Sequence, residues 1–261
     1  MKMKTLLTRI CLSLSIFFFY CAPIKAATPM ETLKEMFESG VYTIKYEVQN
    51  DELQDMQRRF SHDTLFDKTL ELEEAGNRNS KDFLTVQGQI AYGEHIQSFG
   101  GQKNGICYLQ KEDKVYEFMY NNGKYFSRTA GKFVAPRPMS ERKKAELYGY
   151  SFLNALKPIM PEKFRSKDDI YYTFRLAGQG TDKDGRTYYD YEADFSRKDD
   201  SSYLVYRYMF EGNTLVKIAM ASHFVSQGKE HNGREIIYIK EISPTAETSR
   251  LALPTGLTAL D

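Results

Sequence analysis

The chain has 261 residues, and its 36 Lys and Arg against 35 Asp and Glu give a net charge of +1. Because there is no basic excess, a nucleic-acid-binding protein that relies on phosphate contacts is disfavoured. A charged fraction of 27% and an aromatic fraction of 14% exclude an intrinsically disordered chain. A chain of this length buries about 70% of its surface on folding, so it needs neither a disulfide nor a metal to hold a core.

The first 26 residues have the features of a secretory signal peptide. Residues 1–9 carry three basic residues and no acidic one, and an apolar run of 13 residues follows over 10–22. This run is too short for an ordinary membrane-spanning helix, and the sequence before Ala27 fits cleavage. Cleavage would leave 32 basic against 35 acidic residues, a net charge of −3. We expect export to the periplasm or cell envelope, with no integral membrane span in the mature chain.

Two alternatives to simple cleavage stay open. An uncleaved signal would act as a membrane anchor. Cys21 could carry a lipid anchor, but Phe18, Phe19 and Tyr20 stand before it, where lipoprotein signals carry small residues. Both alternatives are less favoured than release of residues 27–261 as one domain.

A helix is predicted at the start of the mature chain. Thr28 can cap it, Pro29 suits its first turn, and Glu31 can reach back as the partner in a capping box. Its apolar stripe consists of Leu33, Met36 and Phe37, and Gly40 is expected just after its last residue. The next segment, 41–48, alternates in polarity and predicts a strand with one buried face. Residues 51–76 fit either a helix or an edge strand.

From Phe83 onward the pattern favours strands up to a proline-containing break at 134–139. Leu84, Val86, Ile90 and Tyr92 are predicted to share one side of a strand, with Ile106 and Tyr108 continuing the pattern. In the run 115–120 the shared side is formed by Tyr116, Phe118 and Tyr120. Asn122-Gly123 predicts a two-residue hairpin turn before Tyr125. A central helix is predicted over 140–157, ended by the prolines that follow it.

The second half has the pattern of an antiparallel meander. Strands are predicted over 170–177, 187–195, 203–210, 215–224 and 234–242, with a turn at 227–233. The residues predicted to face inward on the last of them are Ile236, Tyr238 and Ile242. One largely apolar and one largely polar face are typical of an antiparallel sheet with one solvated side. The sequence predicts an α+β fold.

Candidate chemical groups in the chain favour structural interpretations. Asp182-Lys183-Asp184-Gly185 resembles part of a calcium loop, but the twelfth position is Ala193, so a hairpin turn is expected. The histidines are His62, His95, His223 and His231, and their spacing gives no zinc motif. No metal and no cofactor is expected.

Three further polar or reactive groups are interpreted as structural and not as catalytic or ligand-binding. His223 alternates onto the polar face beside Lys217, which favours exposure. The acidic row at Asp190 has Arg207 on a neighbouring strand to offset it. Cys107 is interpreted as a small buried hydrophobic residue, and a catalytic nucleophile is not expected because no histidine-containing signature accompanies it.

The aromatic face of the predicted sheet is the candidate site. Eight side chains are predicted to line it: Tyr189, Tyr191, Leu204, Tyr206, Tyr208, Val216, Ile218 and Met220. Such a face is either an ordinary core in which each tyrosine hydroxyl finds a partner, or a pocket that stays open for an apolar ligand. Composition alone leaves both interpretations open.

The order of elements resembles the superfamily of periplasmic lipoprotein carriers, the LolA-like, LppX and RseB group. The resemblance is strongest near the C-terminus, in Gly212-Asn213-Thr214-Leu215-Val216, in the last strand, and in the closing segment Leu253-Pro254-Thr255-Gly256. It implies one curved antiparallel sheet, a half-barrel, with the N-terminal and central helices on its concave apolar face. In that superfamily the cavity holds acyl chains or a protein segment.

Together these features lead to one functional expectation and two alternatives. We expect an exported, non-enzymatic binding protein of the cell envelope whose partner is a lipid or a lipoprotein, and not nucleic acid. The first alternative is an envelope interaction or sensor module whose aromatic face is filled by its own helices. A hydrolase is less favoured, because the sequence shows no nucleophile–base set.

Overall fold

The computed structural model describes residues 27–52, 80–111, 114–127, 137–138, 155–159, 164–165, 171–195, 202–226 and 229–253. Within these ranges the chain forms a helix, α1 (Pro29–Glu38), two 3-10 turns (Lys157–Ile159 and Thr248–Arg250) and one large sheet. The first strands of the sheet are β1 (Val41–Glu52), β2 (Ser80–Gln87), β3 (Ile90–Phe99), β4 (Gln102–Lys111), β5 (Lys114–Asn121), β6 (Lys124–Ser127) and β7 (Arg137–Pro138). The remaining strands are β8 (Phe164–Arg165), β9 (Tyr171–Thr181), β10 (Thr187–Phe195), β11 (Tyr203–Glu211), β12 (Thr214–Ser226) and β13 (Lys229–Ser243).

All strands of the sheet pair with antiparallel neighbours. Their order is β6-β5-β4-β3-β2-β1-β13-β12-β11-β10-β9-β8, and β7 pairs with β5. Two meanders, β1–β6 and β8–β13, are therefore joined at the centre by the pairing of β1 with β13. The prediction of a mainly antiparallel sheet with consecutive pairing is confirmed, and β6 and β8 lie at the two ends of the path.

The predicted N-terminal helix is confirmed at both ends. Thr28 Oγ1 accepts from the Glu31 backbone N–H at 3.2 Å, and Glu31 Oε2 accepts from the Thr28 N–H at 2.7 Å. These reciprocal bonds satisfy two N–H groups that the first turn leaves without helical partners. Gly40 follows the helix and has φ +65°. Because glycine adopts a positive φ without steric cost, the chain can turn there and enter β1 directly.

Several predicted turns are also confirmed. Asn122 (φ 43°) and Gly123 (φ 91°) form the turn between β5 and β6. At 182–186, Asp182 Oδ1 accepts from the backbone N–H groups of Asp184 and Arg186 at 2.9 and 2.8 Å. The fragment that resembles a calcium loop is therefore a hairpin turn closed by its own aspartate.

The structure corrects the predicted face of Ile90 and Tyr92. A hairpin at Gly88 (φ +59°) separates β2 from β3 and pairs Val86 with Ala91. Even-numbered residues of β2 consequently share a face with odd-numbered residues of β3. Leu84 and Val86 lie on one face, whereas Ile90 and Tyr92 lie on the opposite one.

The last strand and its turn are corrected as well. β12 extends to Ser226 and β13 begins at Lys229, so most of the predicted turn 227–233 is strand. A bulge opposite Lys45 and Tyr46 changes the phase of β13. As a result Ile242 packs with Ile237, while Ile236 and Tyr238 lie on the opposite face.

In the middle of the chain, the proline-containing segment does not wholly leave the sheet. Arg137 and Pro138 form β7, which pairs with Lys114 and Val115 at the start of β5. Of the predicted central helix, 140–157, only residues 155–157 are described, and the helical conformation passes there into the 3-10 turn Lys157–Ile159. The ambiguous region 51–76 lies outside the described residues from position 53 onward.

Gly105 in β4 occupies a position that tolerates no side chain. A Cβ there would lie 2.3 Å from the backbone oxygen of His95 and 2.9 Å from Ile96 Cα. Gly105→Ala is expected to lower the free energy of unfolding by about 1–3 kcal/mol, since the paired backbone must move. Urea titration measures this change. Gly93→Ala is the control, because its Cβ would meet nothing nearer than 3.8 Å, and an equal loss in both variants would contradict the prediction.

Candidate functional site

The register of the sheet lines up side chains of six strands on one face. Tyr189 lies opposite Tyr208, and Tyr208 lies opposite Ile218. The row continues through Ile237 to Val48, and Ser80 lies opposite Val48. We call the face that carries this row the tyrosine face: Tyr189, Tyr208, Ile218, Ile237, Val48 and Ser80, with their same-face neighbours.

The tyrosine face is the main hydrophobic core of the described chain. Tyr208 and Ile218 are fully buried, and Tyr206 is 4% exposed. α1 contributes Met30 and Leu33 to the same cluster. Residues 155–159 contribute a further set of side chains, Ala155, Leu156 and Ile159. The Tyr208 hydroxyl donates a hydrogen bond to the Ala155 carbonyl, which ties this segment to the sheet.

Aromatic rings on this face pack edge to face. The rings of Tyr191 and Tyr208 are 5.7 Å apart at 83°, and those of Phe174 and Tyr206 are 5.7 Å apart at 72°. This geometry places the positive edge of one ring against the negative face of the other. Burial raises the pKa of Tyr206 and Tyr208 above the usual value, so both phenols stay neutral across the physiological range.

Seven of the eight predicted lining residues lie on the tyrosine face. Five are buried members of the cluster: Tyr189, Tyr191, Tyr206, Tyr208 and Ile218. Leu204 and Met220 are partly buried and pack against it. For Val216 the prediction is wrong, because a bulge opposite Met209 and Phe210 shifts the register, and the cluster takes Leu215 instead.

Sequence reasoning missed a polar group on the same face. Asp82 lies opposite Tyr46 on one side and His95 on the other. His95 Nδ1 is 2.6 Å from Asp82 Oδ1, and the Ser80 hydroxyl donates to Asp82 Oδ2. The side chain of Asp82 is 1% exposed and that of His95 is 29% exposed. Asp82 and His95 stand on either side of the Gly88 turn. A hairpin predicted at Gly88 would have placed them on neighbouring strands and predicted their contact.

The Asp82 hydrogen bond raises the pKa of His95, and the charges of Asp82 and Glu235 act in the same direction. A folded-state pKa above the unfolded value means that protonation favours the folded chain. This stabilisation is fully present below the unfolded pKa of about 6.5 and is lost as the pH rises through the folded pKa.

We therefore expect His95→Gln to lose more stability at pH 5.5 than at pH 9. Urea unfolding of the wild type and the variant at both pH values measures the difference. His223→Gln serves as the control for the loss of an imidazole on the other face. A loss for His95→Gln that does not change with pH would contradict the assignment.

The opposite face holds a buried ion pair. Arg207 Nε and Nη2 donate to the two carboxylate oxygens of Asp190, both at 2.8 Å. The predicted offset of the acidic row by Arg207 is thus confirmed, but Asp190 itself is buried. The Arg207 guanidinium also lies 4.3 Å from the centre of the Tyr188 ring, a cation–π contact.

On the opposite face, the sequence predicted a buried Cys107 and an exposed His223. Cys107 is buried as predicted, and burial raises the pKa of its thiol to about 12. His223 was predicted to be exposed, but it is 7% exposed and stacks on Tyr203 with the ring centres 5.7 Å apart. Alternation correctly assigned the face of His223 but could not show that long neighbouring side chains bury it.

The C-terminal segment after β13 lies against the opposite face of the first meander. The backbone N–H of Glu247 donates to the hydroxyls of Thr43 and Thr85 at 3.0 and 2.9 Å. Arg250 Nη1 donates to Glu94 Oε1 at 3.0 Å. Leu251 packs on the cluster that contains Cys107. These bonds fix the segment across β1–β3.

Among the described residues, no group of three or more His, Cys, Asp or Glu could hold a metal ion. The described part of the chain also contains no helix with the length and apolar character needed to cross a membrane.

No family model and no curated protein matches the chain. Among solved structures, the chain is similar to a DUF1329 family protein from Desulfovibrio piger, with 9% sequence identity over 85% of this chain and 94% of that one. The TM-score of 0.28 is too low for any conclusion about fold or function.

Proposed function

We propose that this chain is an exported, non-enzymatic binding protein of the cell envelope that holds an apolar ligand, a lipid or a lipidated protein, on the tyrosine face. In this proposal the sheet curves as a half-barrel with the tyrosine face on its concave side. α1 and residues 155–159 form the cover. The N-terminal signal pattern supports export.

The observation that carries the proposal is the continuous apolar row across β10–β13 and β1. Aromatic and aliphatic side chains that meet across five neighbouring strands can line an elongated apolar site. Within the described residues, α1 buries Met30 and Leu33 on this face, and its Met36 and Phe37 pack there in part. Leu204, Met220 and Phe174 keep partial exposure at the margin of the same cluster. A cover that separates from the sheet would expose a binding surface without breaking strand pairing.

A second function is favoured by a different observation. Tyr208, Ile218 and Ile237 are at most 1% exposed, as in a sealed core. If the cover stays in place, the molecule is an interaction or sensor module that binds other proteins through its exterior and holds no small ligand.

Titration with a fluorescent fatty acid separates the two functions. Wild-type protein is expected to enhance the fluorescence saturably. The double variant Leu204→Ala, Met220→Ala is expected to bind about tenfold more weakly, since each truncation removes apolar contact area. Leu253→Ala, which truncates an exposed leucine of the C-terminal segment, should bind as the wild type does. Absence of saturable binding would favour the interaction module.

A further inference from the structure

The tyrosine face changes character along its length. From Tyr189 to Val48 the row is apolar, and it then meets Ser80 on β2. In the neighbouring row Tyr46 lies beside Asp82, and Asp82 lies beside His95 on β3. On β2, Leu84 and Val86 still belong to the apolar cluster of this face. The polar part is therefore confined to Ser80, Asp82 and His95, at one end of the β2–β3 pair.

The row from β10 to β2 crosses five strand spacings of about 4.8 Å each, so it is about 24 Å long. The cover residues of α1 and 155–159 belong to the apolar cluster, whereas the His95 side chain on the polar part keeps 29% of its surface exposed. This arrangement matches a ligand with a long apolar tail and a polar group at one end.

The polar part combines opposite charges with a hydroxyl. The imidazole of His95 is hydrogen-bonded to Asp82, and the Ser80 hydroxyl donates to the same carboxylate. The negative charge of Glu235 also raises the pKa of His95. A fully anionic head group would face two carboxylates, and a fully cationic one would face the protonated imidazole. Hydroxyl groups both donate and accept hydrogen bonds, so they suit a surface of mixed donors and acceptors.

We infer that the ligand is a neutral, hydroxyl-bearing amphiphile, with its acyl chain on the tyrosine row and its head group against the Asp82–His95 pair. This inference rests on the proposed apolar-ligand function. His95 then acts as a specificity-determining residue that distinguishes head groups and leaves the affinity for the acyl chain unchanged.

Competition with three amphiphiles of one chain length tests the inference. Each of 1-monooleoylglycerol, oleate and oleylamine is titrated against the bound fluorescent fatty acid at pH 6. Monooleoylglycerol is expected to displace the probe at a concentration at least tenfold lower than either charged amphiphile. His95→Gln removes the cation and keeps the carboxylates, so we expect oleylamine to come within threefold of monooleoylglycerol while oleate stays disfavoured. His223→Gln, on the opposite face, should keep the wild-type order.

A second variant keeps the test informative if His95→Gln does not fold. Asp82→Asn removes one carboxylate from the polar part, so oleate should gain at least threefold relative to monooleoylglycerol. Equal displacement by all three amphiphiles, or an unchanged preference in both variants, overturns the head-group inference but leaves apolar binding standing. Failure of the protein to bind both the fluorescent fatty acid and monooleoylglycerol overturns the proposed function and the inference with it.

Discussion

Asp190→Ala is expected to lower the free energy of unfolding by about 3–5 kcal/mol, because it leaves the Arg207 guanidinium partly buried without its carboxylate. The side chains of Asp190 and Arg207 are only 6% and 14% exposed, and both guanidinium bonds measure 2.8 Å. Most of the loss therefore comes from the stranded charge. Chemical denaturation followed by circular dichroism measures it.

Two controls make this result specific. Asp194→Ala removes an exposed carboxylate from the same strand and should change stability by less than about 0.5 kcal/mol. The double variant Asp190→Ala, Arg207→Ala should lose less than the sum of the two single variants, since residues in one ion pair are coupled. Additive losses would show that the pair does not act as a unit.

Tyr208→Ala is expected to cost about 3–5 kcal/mol, the range for removing a large buried aromatic side chain. Tyr208 lies at the centre of the tyrosine face and is fully buried. Tyr208→Phe isolates the hydroxyl and should cost about 1–3 kcal/mol, because the buried Ala155 carbonyl loses its donor. Thermal unfolding of the three proteins gives the order of stability.

Tyr206→Phe is the matched control for the hydroxyl. Tyr206 lies on the same strand and face and, at 4% exposed, is buried to a similar degree. We expect Tyr206→Phe to retain wild-type stability within about 0.5 kcal/mol. If Tyr208→Phe matched Tyr206→Phe, the bond to Ala155 would not hold residues 155–159 to the sheet.

Local signals were sufficient for much of the fold. The capping box at Thr28, the alternation in 41–48 and the turn at Asn122-Gly123 each depend on residues a few positions apart, and each is confirmed. Seven of the eight residues predicted to line the candidate site lie on the tyrosine face, since alternation within β10 and β11 continues there without a break.

Errors arose where the phase of alternation changes. A bulge places Leu215 where Val216 was expected, another separates Ile242 from Tyr238, and the turn at Gly88 reverses the face of Tyr92. A one-residue shift moves every later side chain to the other face. Such shifts are set by pairing with a neighbouring strand, so a pattern read along one strand does not contain them.

The polar pair was missed for a related reason. Asp82 and His95 are 13 positions apart, and neither belongs to a motif. Their contact exists only because two strands pair in one register. The central pairing of β1 with β13, which joins the two meanders and aligns Val48 with Ile237, likewise has no local signal.

Mass spectrometry of organic extracts from the protein, purified without detergent, shows directly whether the tyrosine face holds an apolar ligand. We expect a neutral molecule with an acyl chain, present near one equivalent and depleted in the Leu204→Ala, Met220→Ala variant. Protein that is consistently empty, and that also leaves a fluorescent fatty acid unbound, would contradict this expectation.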